Sequence, residues 1–145
     1  MLAVVLLLVA LIGFWFWTIQ RNYEFVMAAN AGNINKVRAG LDSGIDPNIT
    51  CIKGLKALPC AINARYPASG AIVRLLLDRG ADPNDGLFMA VSTGQPEIVQ
   101  LLIAKGANVN PKDFSWCGFN SLLLVAAQAG NNKVIQLLKA AGARK

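Results

Sequence analysis

Histidine is absent from all 145 residues. That removes every Ser–His and Cys–His nucleophile pair, every imidazole general base and every zinc site of the histidine type. The three cysteines are too few for a four-ligand structural zinc site. Neither G-x-x-x-x-G-K-[ST] nor G-x-G-x-x-G occurs, so no loop of the kind that cradles a nucleotide phosphate is encoded. Acidic residues are also scarce, eight against fourteen Lys and Arg, and Asp42, Asp46, Asp78, Asp82 and Asp85 fall where helix ends and turns require them. The expectation is a non-enzymatic chain without cofactor, metal or small-molecule substrate.

Charge is missing altogether from residues 1–19. At about 1.5 Å rise per residue this stretch reaches nearly 30 Å as a helix, the thickness of a bilayer core. Phe14, Trp15, Phe16 and Trp17 crowd one end, where amphipathic rings settle at headgroup level, and Arg21 follows. A cleaved signal peptide competes with this reading. It lacks support, because no basic region opens the chain and bulky residues stand where small ones are needed for cleavage. Residues 1–19 are therefore expected to be a signal-anchor helix contacting the lipid bilayer, 20–22 a short junction, and 23–145 the folded domain. At the junction either the helix runs on or it breaks at Asn22, a good N-cap residue. Arg21, Lys36 and Arg38 follow the span, and the positive-inside rule leans toward a cytoplasmic domain; translocation of the C-terminal part is the alternative.

All fourteen basic residues lie after the span, so the net charge of +6 belongs to the domain. Lys53, Lys56, Arg65, Arg74, Arg79 and Lys105 are scattered over helices and turns and read mostly as solvated. A nucleic-acid binder gathers such residues on one face. No nucleic-acid partner is expected, while anionic headgroups or an acidic partner suit the excess charge.

What the sequence does contain is repetition. IVRLLLDRGADPN at 72–84 recurs as KVRAGLDSGIDPN at 36–48, IVQLLIAKGANVN at 98–110 and VIQLLKAAGARK at 134–145. Apolar residues at i, i+3 and i+4, such as Val73, Leu76 and Leu77, paint one face of a short helix. Gly44, Gly80, Gly106 and Gly142 stop those helices. Upstream of each copy stands a second helix rich in small residues: Ala28-Ala29-Asn30-Ala31-Gly32, Ala61-Ile62-Asn63-Ala64, Ala90-Val91-Ser92-Thr93-Gly94 and Ala126-Ala127-Gln128-Ala129-Gly130.

This helix, turn, helix, glycine unit resembles the ankyrin repeat. The resemblance implies an all-α solenoid of about four repeats, near 23–48, 56–84, 86–110 and 120–145, behind a single transmembrane helix. The family's helix-entry histidine is missing throughout. That puts the inter-repeat hydrogen bonds it makes in doubt and calls for apolar packing at Val26, Phe88 and Leu124. The interval from Gly80 to Gly106 is much shorter than its neighbours, so the loop between repeats two and three is nearly absent. Lys139 replaces the apolar residue of the other copies, as suits an end facing water.

The resemblance also implies protein recognition through hairpin fingers and a concave groove. Two loops are long enough to be fingers, 49–56 and 111–120. The first offers Lys53; the second offers Lys112, with Phe114 and Trp116 read either as partner contacts or as buried against the neighbouring repeat, and Phe119 more suited to burial. Repeat two carries an insertion at 65–70 that adds Tyr66, read either as a binding contact or as a tolerated loop. Cys60 aligns with Met27, Met89 and Val125 at an apolar core position, and it and Cys51 read as free thiols, a disulfide being the alternative in an oxidising compartment. Asn48-Ile49-Thr50 matches the glycosylation acceptor, yet Asn48 already closes the first repeat. The expected function is a membrane-tethered module binding an unidentified protein. Alternatives are an inhibitor or immunity-type protein neutralising a membrane-acting enzyme or toxin, a thiol-redox protein, and a purely structural envelope protein.

Overall fold

The computed structural model describes residues 1–51, 53–64, 66, 68–111 and 121–144. Eight helices occur among them: α1 (Leu2–Asn30), α2 (Ile34–Asp42), α3 (Ala57–Asn63), α4 (Ser69–Asp78), α5 (Asn84–Ser92), α6 (Pro96–Ala104), α7 (Leu122–Gln128) and α8 (Asn132–Ala140). No strand forms among the described residues, and Thr50 and Lys56 make an isolated antiparallel bridge. The fold is an all-α solenoid. Inner helices α1, α3, α5 and α7 stack in sequence, and each is backed by a return helix, α2, α4, α6 or α8.

Local chemistry explains the boundaries. Asn33 and Asn131 cap α2 and α8 by accepting from the N–H groups of Lys36 and Val134, both at 3.1 Å, and Ser121 caps α7 through Leu124 N–H. Pro96 opens α6, where a missing N–H costs nothing. The four glycine stops adopt φ of 84°, 90°, 93° and 86°, as the left-handed turn requires. After α4 the Ala81 N–H reaches Leu76 O at 2.9 Å and Gly80 N–H reaches Leu77 O at 3.1 Å, satisfying two orphan carbonyls.

The core runs the length of the stack. Val26 and Ala29 of α1, Leu58 and Ile62 of α3, Ile72 and Leu76 of α4, Val91 of α5 and Leu102 of α6 are sealed from solvent. Each large aliphatic side chain so buried contributes about 1.5–3 kcal/mol. Two glycines set how closely helices approach. A Cβ on Gly86 would stand 2.6 Å from Ile62 Cδ1, and one on Gly40 would stand 2.7 Å from Phe25 Cδ2.

Of the two alternatives at residues 20–22, the helix runs on: α1 passes through them unbroken, and Phe25, Val26 and Ala29 at its far end belong to the core. Two expectations change here. Val26 packs as the missing histidine demands, but Leu124 is 50% exposed, because no described helix stacks on the outward face of α7. Inter-repeat hydrogen bonds are present after all, supplied by amides. Asn84 Oδ1 accepts from Asn108 N–H at 2.7 Å, Gln95 Nε2 donates to Ile62 O at 2.8 Å, and Asn131 Nδ2 donates to Gly94 O at 2.8 Å. Lys139 is exposed, as its charge requires.

Candidate functional site

The first finger is a small hairpin. Cys51 N–H donates to Leu55 O at 2.9 Å and Gly54 N–H to Cys51 O at 2.8 Å, the turn closing at Gly54 with φ 71°. Its base is fixed by Lys56 Nζ, 2.7 Å from Asp85 Oδ2 of α5, a half-buried ion pair that ties finger to groove wall. At its tip Lys53 Nζ lies 5.5 Å from the ring centroid of Tyr23 on α1. This is cation–π distance.

Finger and inner helices together enclose a cleft of about 550 Å³. Its wall is Lys53, Leu55 and Lys56. Its floor is Met27 from α1, Pro59, Cys60 and Asn63 from α3, and Asp85 and Met89 from α5, with Asn30 at the rim. Leu55 is half out of the protein at 39% exposure. Two thioethers and a leucine give an adaptable apolar surface, since methionine re-packs against irregular shapes at low cost. With Lys56 neutralised by Asp85, Lys53 is the charge that this cleft presents.

Tyr66 occupies different ground. It lies across Gly32, where an added Cβ would meet Tyr66 Cβ at 2.8 Å, while more than half of its surface stays exposed. It borders a second, polar cleft of about 610 Å³ with Asn63, Ala64, Ser69, Ser92, Thr93 and Gln95. Asn63 lines both clefts, so the two meet at the end of α3. Lys112, Phe114 and Trp116, with the rest of the second finger, lie outside the described residues.

Sequence reasoning missed the cleft floor. Met27 and Met89, read as core with Cys60, are only partly buried and line the cleft; Cys60 is buried and lines it with them. The available signal was the pair of methionines themselves, flexible side chains at a position that elsewhere in the array holds Val125. Cys51 and Cys60 are both free and buried. Burial pushes the Cys60 thiol above its usual range, and the neighbouring Cys51 adds to the shift. Such a thiol is a poor nucleophile at neutral pH.

The scattered cations also need correction. Arg79 and Lys105 are not simply solvated: they pair with Asp42 and Asp78, both at 2.8 Å, and Lys133 pairs likewise with Glu97 at 3.0 Å, each across a repeat boundary. The hydrogen bond and charge of Lys105 hold the Asp78 carboxyl below the usual carboxylate range, and Lys133 does the same for Glu97. Solvent screens exposed pairs of this kind. Their placement fixes repeat against repeat more than it adds stability.

A family model for ankyrin repeats, three copies long, matches residues 25–113 and again 64–145. The chain is an ankyrin-repeat protein. Its repeats form a protein–protein interaction module. No curated protein matches the chain. Ahead of the ankyrin array, α1 is long and apolar enough to cross a membrane, and the apolar stretch that passes this test is not buried by the rest of the protein.

Proposed function

We propose that this ankyrin-repeat protein is a membrane-tethered binding module. Residues 1–19 cross the bilayer, and the cleft beneath the first finger takes an exposed segment of a partner protein held close to the membrane. The continuity of α1 carries the reading. From Trp17, at the end of the exposed aromatic run, to Met27 in the cleft floor is about 15 Å along one unbroken helix. A partner reaching this cleft must offer its segment within that distance of the headgroups. The methionine floor favours an apolar side chain, and Lys53 favours an acidic group beside it. Tyr66 and the finger residues Lys112, Phe114 and Trp116 extend the proposed contact surface. Arg21, Lys36 and Arg38, following the span, favour the cytoplasmic side.

The test uses the full chain in intact cells. A photo-crosslinking residue at Met89 should give a saturable adduct that Met27→Asp abolishes, while the same probe at Arg74, on a return helix, should give none. Indistinguishable adducts at the two positions would remove the cleft as the binding site. A topology reporter fused after the C-terminus fixes the side, and signal from the opposite compartment would reverse that assignment.

A further inference from the structure

Arg21 stands apart from the other cations of the array. Its Nε is buried and has no hydrogen-bond partner, the one side-chain nitrogen or oxygen among the described residues left in that condition. No carboxylate among them forms an ion pair with it. A guanidinium with one donor unmet and no carboxylate beside it keeps its charge uncompensated within the protein, which points to an anion from outside it.

Its surroundings suggest what. Arg21 lines a cleft of about 340 Å³ between α1 and α2, which shares no lining residue with the groove of the first finger. Phe25 and Ile45 give the cleft an apolar floor, while Lys36, Ser43 and Glu24 give it a polar rim. The Glu24 carboxylate already accepts from Gln20 Nε2 at 3.1 Å, and the Ser43 hydroxyl donates to Gly40 O at 2.7 Å. Lys36 forms no ion pair among the described residues. The rim therefore holds two unpaired cations against one carboxylate.

Position along α1 completes the argument. Arg21 follows Trp17 by one turn, about 6 Å further along the helix, and its guanidinium carbon sits 4.8 Å from the Trp17 ring centroid. If the rings of Phe14–Trp17 sit at the bilayer interface, Arg21 stands at the level of the lipid phosphates. Stacking on an aromatic face holds the planar fork rigid, and its terminal nitrogens, which donate to no described residue, suit phosphate oxygens.

We infer that the α1–α2 cleft binds the headgroup of an anionic phospholipid, with the phosphate on the Arg21 guanidinium and Lys36 adding charge at the rim. The inference rests on the membrane-tethered reading. An aromatic ring, a fixed guanidinium, an apolar floor and a second cation are together what an amphipathic glycerophosphate requires. Bound there, the lipid seats the first repeat on the bilayer surface.

The experiment uses the full chain purified in neutral detergent and titrated with short-chain phosphatidylglycerol, short-chain phosphatidylcholine or inorganic phosphate, binding being read by native mass spectrometry. One phosphatidylglycerol is expected to be retained in preference to phosphatidylcholine. Arg21→Gln should weaken it roughly tenfold, the loss of one charge-assisted contact. Lys36→Gln should weaken it less, and Arg21→Lys should fall between Arg21→Gln and the parent, which guards against a folding defect. Arg74→Gln removes equal charge from a return helix of the second repeat and should change nothing. Equal loss with Arg74→Gln would reduce the effect to net charge and overturn the site. Equal retention of the two lipids, or displacement of the lipid by inorganic phosphate at matching concentration, would overturn it as well. An alkaline wash of native membranes separates the two readings: a chain that washes off overturns anchor and lipid site together, whereas a chain that stays but shows no preference overturns the site alone.

Discussion

The side chain of Asn48 holds Gly80 of the next repeat: its Nδ2 donates to the Gly80 carbonyl at 2.9 Å, while its Oδ1 accepts from Asp82 N–H at 2.7 Å. Asn110 does the same for Gly142 and Arg144. Both functions of the Asn48 amide are thus used, and a glycan on Nδ2 would break the clasp. Asn48→Ala is expected to lower stability by about 1–2 kcal/mol, two ordinary hydrogen bonds at partly open sites. Asn48→Asp, which keeps the acceptor alone, should cost nearly as much. Urea unfolding of the full chain in micelles measures both, and an unchanged midpoint for Asn48→Ala would mean that water replaces the clasp.

Truncation separates the two halves of α1. A chain beginning at Gln20 keeps Phe25, Val26 and Ala29 and should melt cooperatively. A chain beginning at Asn33 uncovers α3 and discards the four buried side chains of α1, Phe25, Val26, Ala28 and Ala29, a loss comparable to the whole stability of a small domain, about 5–15 kcal/mol. Loss of a cooperative melt in the Asn33 chain, followed by circular dichroism, is the expected result. Equal melts would show that the first inner helix is dispensable.

Gly86 tests packing between inner helices. Gly86→Ala gains helix propensity but drives a methyl to within 2.6 Å of Ile62 Cδ1 and 3.2 Å of Leu58, so a net destabilisation of about 1–3 kcal/mol is expected. Ile62→Val removes the clashing atom. Combined with Gly86→Ala it should recover part of the loss, and strict additivity in the double-mutant cycle would show that the two residues do not interfere.

The pH dependence of the ion pairs has a definite sign. Lys105 lowers the Asp78 pKa on folding, so the Asp78 contribution is present above the ordinary carboxylate range and lost as pH falls through the folded value. Lys105→Met should move the Asp78 titration, followed by carboxyl NMR, upward toward that ordinary range. No movement would show that the pair does not persist in solution.

Cys60 responds in the opposite direction. Its raised pKa means that folding favours the protonated thiol, so this contribution is held at neutral pH and lost as pH rises beyond the usual thiol range toward the folded value. Iodoacetamide at mildly alkaline pH should leave the Cys60 peptide unmodified in the folded protein and label it fully in urea. Rapid native labelling would place the thiol in reach of solvent.

The return helices were legible in the sequence because their apolar face is written at i, i+3 and i+4 and their ends are written in glycine. Val73, Leu76 and Gly80 suffice to place α4. The hydrogen-bonded clasp was not, since Asn48 reads equally as a turn residue until the next repeat is laid beside it. Met27 and Met89 were misplaced for a related reason. Position in the repeat says that a side chain points inward, whereas the depth of the cleft depends on how far the finger stands off α3. Lys56–Asp85 ties the base of the finger to α5, and no spacing along the chain encodes that pairing.

The unbroken α1 gives this molecule an angular phase. Each residue of an α-helix turns the chain by about 100° and advances it about 1.5 Å. One alanine inserted between Gln20 and Arg21 would therefore swing the finger, the cleft and Tyr66 together through more than a quarter turn relative to Trp17, leaving composition and core untouched. Two would point them nearly backward, and a further two would bring them most of the way home, one turn higher. A partner in the same membrane would meet the cleft only at permitted phases, and activity plotted against insert length should rise and fall with the helical repeat.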